Sequence, residues 1–317
     1  MSAVTTPPLI VGHRGSLYQE LENTRGSFMA CQGICHAIEL DVFELPLDKT
    51  LVVFHGSGGD QTPGGLHNYM VDPKTTSIMD LTFAETQQLQ FNTDFAELAA
   101  PADKVRQGQI PTLEQVLLDM KAIGMFVKIE LKGPGTAKPV VELVDRLEMA
   151  HQVSFASFHH EEIAMVRQLR PQIDTEDGNY VYKTGALFDE VPEDFVERAM
   201  AVGASEIHLR YDTCSSDRVA AIHAAGLGSM AWFRGPIGML KDATNNYWDV
   251  GNEDESCLET LIQTGVQQIC TNRPNVLYDW LQTKQEAAAD VVSMDLEQQQ
   301  QQQSLEFRSP KGIAARS

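Results

Sequence analysis

Short apolar runs with strand character alternate with amphipathic stretches from Leu9 to about Asp279. The runs are Leu9–His13, Ala37–Phe43, Phe126–Leu131, Val153–Phe158, Thr184–Phe188, Glu206–Arg210, Gly228–Phe233 and Gln268–Thr271, eight in all. Between them, Thr112–Ile123, Pro139–Ala150, Glu161–Leu169, Pro192–Val202, Ser216–Ala225 and Cys257–Thr264 space their apolar residues as helices do. Such alternation implies a parallel sheet, and eight units in roughly 270 residues predict an α/β fold of the closed (β/α)8 TIM-barrel type. Gly33, Gly124, Gly203, Gly226 and Gly265 each precede the next run, where a helix C-terminus favours glycine.

Two departures interrupt the pattern. Leu51–His55 reads as an extra strand that forms a hairpin with the second barrel strand through Asp48-Lys49. Residues 56–109 then form a small insertion, opening with the loop-like Ser57-Gly58-Gly59-Asp60 and Pro63-Gly64-Gly65 and offering one short helix at Thr82–Leu89. An insertion on the C-terminal face of a barrel shapes the active site. The barrel is expected over 9–282, and 283–317 as a disordered Gln-rich tail that includes Gln298–Gln303.

Apolar residues make up 43% of the 317 and charged residues 21%, enough for a sizeable core. The net charge of −20 argues against nucleic acid and anionic membranes as partners, so an anionic small molecule must be held by a local cluster of cations. The five cysteines are odd in number and sparse, which suits a reducing compartment. Cys31 and Cys35 are spaced for one helix face and read as buried or half-buried thiols. No run approaches the ~20 apolar residues of a membrane span. Met1–Pro8 lacks a basic start and an apolar centre, so the expectation is a cytoplasmic protein without stable membrane insertion.

The candidate chemistry lies at strand ends, which converge on one face of a barrel. Glu39 and Asp41 share a face of the second strand, and Glu130 and Lys132 share a face of the third. Clustered carboxylates are unfavourable unless a positive group joins them, and an oxygen-rich set suits one hard divalent cation, Mg2+ or Ca2+. Arg14 and Lys132 would join the metal in holding a phosphodiester and the charge that develops on it. His13 and His55, each ending an apolar run, would supply acid and base, one imidazole protonated and one neutral near pH 7. Trp232, at a strand end, reads as a pocket wall for a glycerol face or a cationic headgroup.

These residues resemble a known family. His13-Arg14-Gly15, Glu22-Asn23-Thr24, Glu39-x-Asp41, His55, Pro111-Thr112-Leu113, Glu130-x-Lys132, Ser157-Phe158, Trp232 and Thr271-Asn272-Arg273-Pro274 stand in the order seen in glycerophosphodiester phosphodiesterases, over about residues 9–280. The resemblance implies a TIM barrel of the phospholipase C-like superfamily, with Glu39, Asp41 and Glu130 on a divalent metal. His13 and His55 would be the catalytic pair. Arg14 and Lys132 would hold phosphate, with Glu22 and Asn23 completing the substrate site around His13 and the metal. The implied reaction is hydrolysis of glycerophosphodiesters to glycerol 3-phosphate and an alcohol.

Three motifs depart from the family pattern. Gly56 follows the second histidine in place of Asp, Phe233-Arg234-Gly235 replaces Thr-Val-Asn after Trp232, and Asn272 replaces Asp. They bear on the alcohol side of the pocket, where Arg234 would take an extra anionic group. Arg210 reads equally as a site cation or a rim ion pair. His159-His160 lacks a third nitrogen or sulfur ligand and is not expected to bind metal. His36, His67, His151, His208 and His223 read as structural. Two alternatives stand beside the leading one. The first is a lysophospholipase D or sphingomyelinase D-like enzyme whose acyl groove would use Leu66, Tyr69, Met70, Phe83, Leu89 and Phe91. The second is a catalytically silent barrel that only binds.

Overall fold

The computed structural model describes residues 7–17, 19–57, 62–67, 69–91, 109–176, 178–235 and 253–286. The chain divides into two compact units, Met1–Leu277 and Tyr278–Ser317. The first unit contains β1 (Leu9–Gly12), β2 (Ala37–Glu44), β3 (Leu51–Val53), β4 (Phe126–Leu131), β5 (Val153–Ser157), β6 (Lys183–Phe188), β7 (Glu206–Arg210), β8 (Gly228–Trp232) and β9 (Gln268–Thr271). Eight of these form a closed parallel barrel, because β1 pairs with both β2 and β9. The remaining strand, β3, runs antiparallel on β2 outside the ring. Every expected barrel strand is present, with ends within one residue of its apolar run.

Two faces separate along each strand. On β2 and β4, Ile38, Leu40, Val42, Val127, Ile129 and Leu131 are buried against the helices Leu113–Ile123 and Ala137–Arg146. Each such side chain contributes about 1.5–3 kcal/mol by leaving water. The alternate residues face the barrel interior, where Val11, Ala37, Ala156, Leu187, Met230, Trp232 and Cys270 form an apolar cluster. Lys128 Nζ and His208 Nε2 meet Glu206 Oε2 at 2.8 and 2.9 Å in the same interior. Gly185 makes room for that arrangement, since a Cβ there would stand 2.2 Å from the His208 ring.

Helix ends follow local chemistry. Leu113–Ile123 opens with a capping box between Thr112 and Gln115 and closes at Gly124, whose φ of 71° lies in the left-handed region. The helix expected at Pro139–Ala150 is Ala137–Arg146 instead. Pro139 falls in its first turn, where the missing N–H has no partner to lose, and Glu148 follows its end with a φ of 54°. The helix Arg25–Met29 ends before Cys31, so the two thiols do not share a helix face. They close the next turn, with the Cys35 N–H donating to Cys31 O at 2.9 Å, and are buried and half-buried as expected.

The insertion builds a small core of its own. Leu66, Tyr69, Met70 and Phe91 pack with Phe43, Phe54 and Ile78, and Phe83 and Leu89 lie against them. The six side chains expected to wall an acyl groove are therefore used in packing this lobe. Its short helix is Phe83–Thr86, and residues 58–61 and 92–108 lie outside the described residues. The second unit is helical over 278–286, so the first residues of the expected tail are ordered. Gln298–Gln303 lies outside the described residues. Among the described residues no helix is long and apolar enough to cross a membrane.

Candidate active site

The loop after β1 is forced into an uncommon conformation by packing. Arg14 takes a φ of 54°, and its carbonyl accepts from the Asn23 N–H at 3.0 Å and from Ser27 Oγ at 2.8 Å. Gly15 follows at a φ of 88°, where a Cβ would stand 2.1 Å from Ser27 Oγ. The Arg14 N–H then donates to Glu39 Oε2 at 2.9 Å, which ties the loop to β2. Strain of this kind is held where surrounding bonds over-determine the backbone.

Strand register brings the carboxylates together. Asp41 on β2 is the register partner of Glu130 on β4, and both face inward with Glu39. Carboxylate oxygens of Glu39, Asp41 and Glu130 all lie within 4.8 Å of one another. Lys132 Nζ stands 2.8 Å from Glu130 Oε1 and 3.5 Å from Asp41 Oδ1. Arg14 Nη1 donates to Glu22 Oε1 at 2.9 Å, and its Nε lies 3.5 Å from Asp41 Oδ2. Four buried carboxylates, Glu22, Glu39, Asp41 and Glu130, thus face two cations, Arg14 and Lys132, among the described residues.

The deficit shows in the protonation preferences. Burial and the neighbouring Asp41 and Glu130 push Glu39 well above the usual carboxylate range. Burial also raises Glu130, opposed by Lys132. Asp41 is held low against its burial by His55, Lys132, Arg14 and its bond from Asn23. Lys132, despite burial, is pushed up to about 12 by Glu130 and Asp41. Among the described residues, Glu39 Oε1 is buried without a hydrogen-bond partner. A divalent cation fits this site, because it supplies the two missing positive charges and a partner for the orphaned oxygen.

Both histidines have a fixed proton. His13 Nδ1 lies 2.7 Å from Asn272 Oδ1, and His55 Nδ1 lies 2.6 Å from the Gly56 carbonyl. Each partner is an acceptor, so each Nδ1 carries hydrogen and, in the neutral ring, each Nε2 carries the lone pair. His55 sits beyond the end of β3, which stops at Val53. Burial and Arg14 push His13 down to about 3, and the same two causes with Lys132 hold His55 well below its ordinary value. Burial and the neighbouring cations thus favour the neutral form of both rings.

A cavity of about 660 Å³ opens over these groups, bordered by His13, Arg14, Glu39, His55, Glu130 and Lys132. Its far wall is Trp232 with Phe158 edge-on at 5.6 Å, together with Leu187 and Met230. Two expected substrate residues do not border it. Glu22 and Asn23 are buried behind the wall, Glu22 on Arg14 and Asn23 on Asp41, because the turn that carries them packs beneath the β1 loop. Arg234 reaches the rim, but its Nη2 binds both oxygens of Asp189 at 2.8 and 3.0 Å, so its charge is already matched. Arg210 binds Asp189 and Asp212, the rim ion pair of its two readings. His160 turns its Nε2 to the Leu187 carbonyl at 2.9 Å, away from any metal role.

Three contributors were not legible as site residues. Tyr69 Oη donates to Glu22 Oε1 at 3.1 Å, which steadies the Arg14 partner from the insertion. Asn272 belongs to the closing motif but had no assigned role. Glu253 binds Asn272 from 19 positions upstream, a distance at which no spacing rule operates. Burial pushes its carboxyl up to about 7 against the donors of Asn272 and Thr271.

Together with the relatives below, an eight-stranded parallel barrel whose strand ends gather two histidines, three clustered carboxylates and two cations identifies a phosphoric diester hydrolase. The chain belongs to the glycerophosphoryl diester phosphodiesterase family, whose profile matches residues 13–276. It is 25% identical over 285 residues to a glycerophosphodiester phosphodiesterase of Bacillus subtilis (strain 168), covering 85% of each chain. A second such enzyme, from Bacillus altitudinis, is 29% identical over 174 residues, 52% of this chain and 64% of its own. Among solved structures, a Galdieria sulphuraria protein carrying the family's name matches with a TM-score of 0.67 and 25% identity, over 89% of this chain and all of its own. The fold is also shared with an Oleispira antarctica phosphodiesterase solved with the product sn-glycerol-3-phosphate, at a TM-score of 0.64 and 22% identity, over 87% and 97% of the two chains.

Proposed function

We propose that this enzyme hydrolyses glycerophosphodiesters to glycerol 3-phosphate and a free alcohol, with His13 as base, His55 as acid and one divalent cation, Mg2+ or Ca2+, at Glu39, Asp41 and Glu130. The observation that carries the reading is the placement of Asp41 opposite Glu130, beside Glu39 and facing Lys132, below a cavity that both histidines border. Family membership supplies the substrate class. Once bound, the cation supplies Lewis-acid stabilisation of the phosphoryl oxygens. Arg14 and Lys132 bind the phosphodiester anion and stabilise the charge that develops on its non-bridging oxygens.

His13 Nε2 takes the proton of the attacking hydroxyl, as its lone pair allows. His55 must be protonated to serve the leaving alcohol, and the bound phosphodiester anion offsets the Arg14 and Lys132 charges that, together with burial, lower its proton affinity. Trp232 and Phe158 form the apolar wall against which the glycerol or alcohol portion packs.

Release of glycerol 3-phosphate from glycerophosphocholine, measured beside choline release from lysophosphatidylcholine, tests the substrate class. Turnover of the first and little of the second is expected, since the insertion's apolar side chains are occupied in their own core. Preference for the acylated substrate would favour the lysophospholipase D alternative. Binding without turnover of either would favour the silent barrel.

A further inference from the structure

Asn272 is fully buried and its amide is held at both ends. Its Nδ2 donates to the Arg234 carbonyl at 2.9 Å and to Glu253 Oε1 at 2.8 Å. The carbonyl accepts only, and Glu253 Oε1 already takes the Asn272 backbone N–H, so Oδ1 is the end that faces His13. Glu253 Oε1 also takes the Asn272 N–H at 3.0 Å, and Oε2 takes the Thr271 hydroxyl at 3.1 Å. Glu253 is 2% exposed and does not border the cavity. A carboxylate that deep is unfavourable without bonded partners, and here three donors from two consecutive residues at the end of β9 converge on it.

We propose that Glu253 is a positioning residue for His13, acting through Asn272. By accepting from both the side chain and the backbone of Asn272, it keeps the amide from turning over and so presents an acceptor to His13 Nδ1. That fixes the Nδ1–H tautomer and leaves Nε2 free to take a proton. If the amide turned, its Nδ2 would face the ring, Nδ1 would become the acceptor and the hydrogen would move to Nε2. An imidazole with N–H at Nε2 cannot act as base there. The inference rests on the reading of His13 as base.

The bond, and not the charge, is what the clamp requires. In Glu253→Gln the side-chain oxygen can still accept from Asn272 while its NH2 donates to Thr271 Oγ1. In Glu253→Met no acceptor remains.

The test combines kinetics with 15N-histidine NMR on the full chain. His13 in the wild type is expected as the Nδ1–H tautomer. Glu253→Met is expected to lower kcat roughly 10–100-fold with KM within about threefold, and to move the His13 signals towards Nε2–H. Glu253→Gln is expected to stay within about threefold of wild type and keep the tautomer. An Nε2–H tautomer in the wild type would overturn the proposal, and so would a Glu253→Met enzyme that loses activity while keeping Nδ1–H. Wild-type kcat in Glu253→Met, or equal losses in Gln and Met, would overturn it as well. Should the Met variant fail to fold, the wild-type tautomer and Glu253→Gln still decide. Full activity in His13→Ala would instead refute the base assignment, while the tautomer shift would still report the clamp.

Discussion

Asn23 grips Asp41 at two points: its Nδ2 donates to Asp41 Oδ2 at 2.8 Å, and its Oδ1 accepts from the Asp41 N–H at 3.3 Å. Asn23 can do this because it sits in the left-handed region, at a φ of 55°, where asparagine is tolerated. The pair orients a carboxylate whose oxygens would otherwise follow Arg14 and Lys132. Removing such an outer partner lowers metal affinity roughly 10–100-fold. Asn23→Ala is therefore expected to weaken calorimetric Mg2+ or Ca2+ binding by that factor with the fold retained. Unchanged affinity would remove Asn23 from the account.

Lys132 pairs with Glu130 and Asp41, so on the proposed reading it would both compete with a cation for them and hold phosphate. Lys132→Met should separate the two roles. Turnover is expected to fall by about 2–4 kcal/mol in transition-state stabilisation, as for a lost oxyanion donor. Affinity for the divalent ion should be maintained or tightened, because the carboxylates lose a positive neighbour. Lys132→Arg should restore turnover only in part, since a planar fork does not replace a point charge. Wild-type turnover in the Met variant would place the phosphate elsewhere.

Glu253 gives a prediction in pH. Its folded value, about 7, lies above the ordinary 4.5. A raised acid contributes stability that is complete below the unfolded value and is lost as pH rises through the folded one. Gln does not titrate, so the stability of Glu253→Gln relative to wild type, followed by thermal melting, should climb between about pH 4.5 and pH 8, by at most about 1.4 kcal/mol per pH unit. A difference that stays flat with pH would mean that Glu253 is not perturbed.

The legible parts of this chain were those governed by period and by local motif. Alternation along Ala37–Phe43 and Phe126–Leu131 placed Glu39, Asp41 and Glu130 on the inner face, and the register of β2 and β4 agrees. The five glycines expected after helices all take positive φ. Pairings between distant segments were not legible. Nothing in the sequence marks that Asp189 matches both Arg210 and Arg234, or that Tyr69 reaches Glu22 across 47 positions. Phe83, Leu89 and Phe91 suggested a groove because composition tells apolar from polar but not core from surface.

The two histidines should respond differently to the leaving group. An alkoxide needs a proton to depart, whereas p-nitrophenolate needs little. A p-nitrophenyl phosphodiester should thus restore much of the activity of His55→Ala and leave His13→Ala slow, each variant losing roughly 10²–10⁴ on the natural substrate. Rescue of His13→Ala alone would reverse the roles.

On the proposed reading, Glu39, Asp41 and Glu130 hold one divalent cation required for turnover. The direct measurement is glycerophosphocholine hydrolysis by the EDTA-stripped enzyme with Mg2+ or Ca2+ added back, run beside calorimetric titration of wild type and of Glu39→Ala, Asp41→Ala and Glu130→Ala. No turnover is expected after stripping, with recovery at one bound ion per chain and loss of both binding and recovery in each variant, because water replaces a charged oxygen ligand poorly. Full activity in excess EDTA, or titrations unchanged in the three variants, would contradict it.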